Sequence, residues 1–202
     1  MLAGAGVVVL AVVLVVIATA GGGDGTPDAT KVAAAMRAAG CTYKDSPGFE
    51  LKPGVMHVTS LKATVKYRTF PPAAGPHYQT PAVWDFWTDP VNPLLVVHNE
   101  EHGGVILWWG EKVPDTTVEQ LRRFYDESPV SMLGTPIEGL GAKVAISAWT
   151  GDPSKYGKNG NFGVGHVAVC PGFNEKAFKT FRDGFRGKGP EGISMSNNQP
   201  GT

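Results

Sequence analysis

The apolar residues of this chain fall into three patterns, and each predicts a different kind of element. Residues Leu2 to Ala20, "LAGAGVVVLAVVLVVIATA", are apolar throughout apart from Thr19; a run of that length can cross the hydrocarbon of a bilayer as a helix. Short stretches rich in β-branched residues form the second pattern and read as strands: Leu94–Val97, Val105–Trp109, "VSML", "AKVAISAW" and "VGHVAVC". "MHVTSLKATVKYRTF" alternates partially and reads as two short strands or a hairpin. The third pattern has helical spacing. "TPDATKVAAAMRAAG" is a helix stopped by Gly40, and "TTVEQLRRFYDES" places Val118, Leu121, Phe124 and Tyr125 on one face, with Thr116 as its cap. "NEKAFKTFRDGFR" does the same with Ala177, Phe178, Phe181 and Phe185, which Phe173 extends.

Between these elements, "PPAAGPHY" (Pro71 to Tyr78) is a stiff loop, because its three prolines fix φ and remove donors. "PAVWDFWTDPVNP" continues as an aromatic-rich loop. Consecutive strands without intervening helices predict an α+β fold, a single domain with a mostly antiparallel sheet flanked by helices and preceded by one N-terminal transmembrane helix. The expected divisions are an anchor or signal segment (1–21), a spacer and juxtamembrane helix (22–39), the α+β domain (40–192) and a tail (193–202).

Composition decides which side of a membrane this domain would occupy. The 18 basic and 18 acidic residues all follow residue 23, so the body is expected on the extracytoplasmic side, tethered to the cell membrane by a single pass through residues 2–20. A cleaved signal peptide competes with the anchor, since "ATA" before Gly21 resembles a cleavage site, but the apolar run exceeds the usual h-region. Either way the body is exported. A net charge of zero supplies no basic surface, which argues against nucleic acid. Export also makes a disulfide the default state of the two cysteines, Cys41 and Cys170.

The candidate chemistry lies in "HNEEHGG". His98 and His102 on a strand would sit about 13 Å apart, too far to share an ion. On one helical turn they become neighbours, and Gly103–Gly104 suits the exit from such a turn. Four of the five histidines, His57, His77, His98 and His102, lie between residues 57 and 102. His77, His98 and His102 are therefore candidate ligands for copper or zinc, with His57 as a candidate fourth. Glu101 is a ligand, an outer partner orienting an imidazole, or a proton acceptor, and Asn99 is a second candidate outer partner. His57 and His166, each within a β-like run, also read as hydrogen-bonding residues. "HNEEH" further matches the inverted zinc-peptidase pattern, which requires a proper helix and a distant ligand. Tyr78, Trp84, Phe86 and Trp87 form a platform for a sugar or peptide if exposed, and packing if buried.

Several ordered motifs together resemble a family of exported bacterial proteins known as domain of unknown function 3105. They are Gly40–Cys41, His57–Val58, "Y-x-x-x-PP-x-x-GPHY" from Tyr67 to Tyr78, "HN-x-EHGGV" from His98 to Val105, Ala148–Trp149 and Gly189–Glu191. The chain departs from the family at Glu100, where an apolar residue is usual; that carboxylate would either tune a metal site or point to solvent. The resemblance implies an anchored, exported domain and supplies no reaction. Three readings follow. The leading one is metal binding or handling in the cell envelope, ahead of catalysis. The second is an interaction or structural module with an unidentified protein or glycan partner, and the third a small zinc hydrolase using Glu101.

Overall fold

A computed structural model describes residues 28–202. The expected membrane helix lies outside the described residues, and among these no helix is long and apolar enough to cross a membrane. In chain order the elements are α1 (Ala29–Ala38), β1 (Thr42–Pro47), β2 (His57–Val58), β3 (His77–Tyr78), α2 (Pro93–Glu101), β4 (Val105–Trp109), α3 (Asp115–Asp126), β5 (Met132–Pro136), β6 (Val144–Thr150), β7 (Val164–Cys170) and α4 (Glu175–Phe185), then a 3₁₀ turn at Met195–Asn197. The main sheet runs β1-β7-β6-β4-β5. Its first three pairings are antiparallel, and β4 and β5 are parallel, joined across α3. This is the expected α+β domain with a mostly antiparallel sheet.

Every residue of β4 is buried, which requires cover on both faces of the sheet. Val105, Leu107 and Trp109 pack with α1, α3 and α4 through Met36, Leu121, Phe124, Phe178 and Phe181. Ile106 and Trp108 face the other way, onto Trp84 and onto Val96 of α2. The apolar face foreseen on the last helix is therefore core, and Trp84 and Phe86 are packing residues at 2% and 6% exposure.

Three local expectations are corrected. Leu94–Val97 is helix, not strand. Asn92 accepts a bond from the Leu94 N–H, and Pro93 occupies the first turn, where its missing donor costs nothing. Because α2 is buried on nearly all sides, its sequence carries no amphipathic period, and β-branched residues fill it as they would a buried strand. In "MHVTSLKATVKYRTF" only His57–Val58 is strand. The remainder alternates in burial but has no partner strand; side chains such as Lys44, on Arg68 O, and Asn92, on Leu61 O, hold its backbone instead. Thr116 lies inside α3, which begins after Pro114 without a side-chain cap.

Cys41 and Cys170 form a disulfide joining the start of β1 to the end of β7 across 129 residues of sequence. Closing a loop of that length restricts the unfolded chain and contributes about 4–5 kcal/mol in the entropy model. A Cys41→Ala/Cys170→Ala variant is expected to lose about that amount, read as a lower urea midpoint with a steeper slope, since the unfolded chain is no longer held compact. A midpoint equal to the parent's would show that the crosslink adds nothing to the sheet edge.

Candidate metal centre

Pro71 to His77 are all buried. A buried loop must satisfy its backbone donors, and prolines remove three of them. The Ala73 N–H is satisfied by Thr69 Oγ1, and the His77 N–H by Met56 O. That last bond begins the parallel pairing of β2 with β3, in which His57 and His77 are direct partners. The second source of side chains is α2. Its end carries His98 and Glu101 on adjacent turns, and His102 closes it as the C-cap. Gly103 then takes φ +86°, the left-handed exit expected from the sequence. A Cβ there would also stand 3.0 Å from Gly187 Cα and Gly189 N.

These elements bring one ligand atom each from His57, His77, His98 and Glu101 within 4.8 Å of one another. Glu101 Oε2 lies 3.0 Å from His77 Nε2, 3.9 Å from His57 Nε2 and 4.0 Å from His98 Nε2. Four atoms bound at 2.0–2.1 Å to one tetrahedral ion stand about 3.3 Å apart, so the observed spacings bracket that value. His77 and Glu101 are 0% and 1% exposed, His98 is nearly buried, and His57 covers the group toward solvent.

The imidazoles are also oriented. His77 Nδ1 lies 2.8 Å from Gly75 O, and His98 Nδ1 lies 2.8 Å from Tyr78 O. Carbonyls only accept, so each Nδ1 carries the hydrogen, and this tautomer of the neutral ring turns the lone pair of Nε2 into the group. Tyr156, from the loop after β6, donates to Glu101 Oε1, and the ring of Trp149 lies edge-on to His77 at 5.8 Å. Burial works against the charge on Glu101, but His77, the Tyr156 hydroxyl and His98 outweigh it and hold the carboxyl below its ordinary range. Burial likewise keeps Tyr156 protonated as a donor, reinforced by the charge on Glu101. Yet His77 Nε2 and Glu101 Oε2, buried and facing each other, make no hydrogen bond.

The other expected residues divide. His102 does not join this group; with Glu191 and the shared His98 it forms a second one. Asn99 bonds both ways to the Ala82 backbone, so it ties α2 to the neighbouring loop and supports no imidazole. Glu100 points neither to solvent nor to the histidines: it is 0% exposed and accepts from Ser147 Oγ. His166 is a satisfied hydrogen-bonding residue, between Asp45 and Thr150. No spacing in the sequence marks Glu191, Tyr156 or Trp149 as a site residue; only the motifs that hold Glu191 and Trp149 point to those two positions.

The match to known proteins covers the same stretch. No curated protein and no solved structure matches the chain. A family profile does, over residues 57–196, from the first histidine of the cluster to beyond Glu191. With well over half of its length matched, the chain belongs to the family described as Protein of unknown function (DUF3105).

Proposed function

We propose that this protein is an exported, membrane-tethered domain that holds one divalent transition-metal ion, zinc or copper, through His57, His77, His98 and Glu101. The observation that carries the reading is the approach of His77 Nε2 and Glu101 Oε2 to 3.0 Å, both buried and neither hydrogen-bonded. Two acceptors in that position repel unless a cation, a metal ion or a proton on Nε2, sits between them. Three nitrogen donors and one carboxylate suit zinc or copper(II). The tether is supported by the apolar run of residues 2–20, and export by the Cys41–Cys170 pairing, which suits an oxidising compartment.

Four protein ligands fill a tetrahedral shell, as in sites that hold a metal, whereas catalytic zinc keeps a position open. The hydrolase reading needs Glu101 free to activate water. Its Oε1 is already taken by Tyr156 and its Oε2 lies among the imidazoles, which disfavours that role.

Metal binding to the native state alone raises stability by about 2.7 kcal/mol at 100-fold excess over Kd. For a domain of this size that corresponds to a rise in Tm of about 5–10 °C on adding Zn2+ or Cu2+, reversed by chelator. Glu101→Gln is expected to weaken binding by more than about 100-fold, beyond the loss of an outer partner, in a chelator competition. A parent chain that binds neither ion overturns the reading.

Acidification tests the state of His98. Burial, assisted by the neighbouring imidazoles of His77 and His102 and opposed by the bond to Tyr78 O and the charge of Glu101, pushes its pKa down to about 4. Between that value and about 6.5 the unfolded chain binds the extra proton, so stability rises with pH there and falls on acidification. The metal-free chain is expected to lose up to about 3 kcal/mol from pH 6.5 to pH 4 through this residue. Urea titrations at several pH values should therefore give a shallower pH dependence for His98→Gln; equal slopes would mean that His98 is not held neutral.

A further inference from the structure

The second group shares a nitrogen with the first. His98 Nε2 lies 3.1 Å from His102 Nε2, which lies 3.2 Å from Glu191 Oε2. Exposure rises outward along this row, with side chains at 8% for His98, 20% for His102 and 32% for Glu191. Glu191 is set there by the segment after α4: the Gly187 N–H donates to Gly103 O, and Gly189 packs so closely on the end of α2 that a Cβ would meet Glu101 O at 2.2 Å. The motif that contains Glu191 thus places its carboxylate beside the histidine turn.

One imidazole lone pair binds one ion. An ion held by either group stands about 2 Å from His98 Nε2, so the two positions are at most about 4 Å apart. Two divalent ions cannot occupy them together while both use that nitrogen. Alternate occupancy by one ion remains, and its direction follows from burial. We infer that His98, His102 and Glu191 form the entry position of the buried centre: a divalent transition-metal ion is captured there, then moves inward by exchanging His102, Glu191 and one accompanying ligand such as water for His57, His77 and Glu101, keeping its bond to His98.

The inference rests on the metal reading above. The step is ligand exchange only: the bonds to His102, Glu191 and one accompanying ligand break, those to His57, His77 and Glu101 form, and no electron is transferred. His98 is fitted for the pivot because Tyr78 O holds its Nδ1 and fixes Nε2 between the groups. The partly exposed outer group also leaves room for ligands that arrive with the ion, such as water or an amino acid.

The full-length chain in mild detergent provides the test, with Cu2+ followed by stopped-flow fluorescence of Trp149, 5.8 Å from His77, and Zn2+ by a chromophoric chelator. In His102→Gln and Glu191→Gln, association and dissociation are expected to slow together by about tenfold, the scale on which loss of a metal-site partner acts. Affinity and a stoichiometry of one ion should stay at the parent's values. An affinity loss matching that of Glu101→Gln would make these residues ligands of the resident ion and overturn the entry role. Unchanged rates would also overturn it and direct entry past His57. A parent that binds neither ion defeats the metal reading itself, before any variant is compared.

Discussion

An ionised carboxylate removed from water must meet compensating charge or hydrogen bonds, since its desolvation costs several kcal/mol. Glu101 meets one hydroxyl and three imidazoles, and the architecture around it can be understood as the means of bringing them there. The two-residue pairing of β2 with β3 aligns His57 with His77. The proline loop is buried so that His77 enters from inside, and the loop after β6 supplies Tyr156. The end of α2 supplies His98 and Glu101, three residues apart and therefore on one face. Each of these segments is irregular or short, and none would be held in place by its own hydrogen bonds. They are held by the sheet beneath: Trp149 of β6 packs against His77, and Gly104 approaches Trp84 too closely for any larger residue.

The remaining histidine shows what a satisfied imidazole looks like in the same molecule. His166 Nδ1 lies 2.6 Å from Asp45, its Nε2 lies 2.8 Å from Thr150 Oγ1, and its ring stacks on Phe185 at 4.0 Å. Carboxylate, imidazole and hydroxyl follow one another as in a nucleophilic triad, but Thr150 is buried and Phe185 covers the ring. Here every ring nitrogen has a partner, and the network joins β1, β6 and β7. In the cluster, by contrast, Nε2 of His77 has none. That difference separates a structural histidine from a candidate ligand, and it depends on partners distant in sequence.

Sequence therefore disclosed the parts of this protein whose cause is local or periodic. The β-branched runs of β6 and β7, the phenylalanine stripe of α4 and the glycine exit after His102 all behave as their residues dictate. The helical turn that joins His98 to His102 was legible because strand geometry would have separated them. Its extension back to Pro93 was not, because a helix buried on all sides loses its period. The local signals of its start are Asn92 and Pro93, a cap and a first-turn proline, and the apolar run that follows them is as compatible with a buried strand. Glu191 lies 89 positions after His102, and only tertiary packing of Gly187 and Gly189 brings it near, so no spacing rule could assign it.

Adjacent glutamates on α2 meet opposite fates, and the helix explains why. Successive residues point about 100° apart, so Glu100 and Glu101 cannot share an environment. Glu100 is aimed at the sheet, where Trp108 Nε1–H donates to Ser147 Oγ and Ser147 donates to Glu100 Oε1. Complete burial pushes its carboxyl well above the ordinary range, with the Ser147 hydroxyl and the Ala74 N–H only partly opposing the shift. Glu100 is thus neutral at the pH at which Glu101 is charged. Were both ionised, two anions on neighbouring residues would share a low-dielectric interior in which only Glu101 meets imidazoles. Keeping the proton on Glu100 leaves Glu101 as the sole anion of the inner group. A divalent cation there would meet three imidazole nitrogens and one negative oxygen, a balance set by desolvation at Glu100 and, against desolvation, by the partners of Glu101.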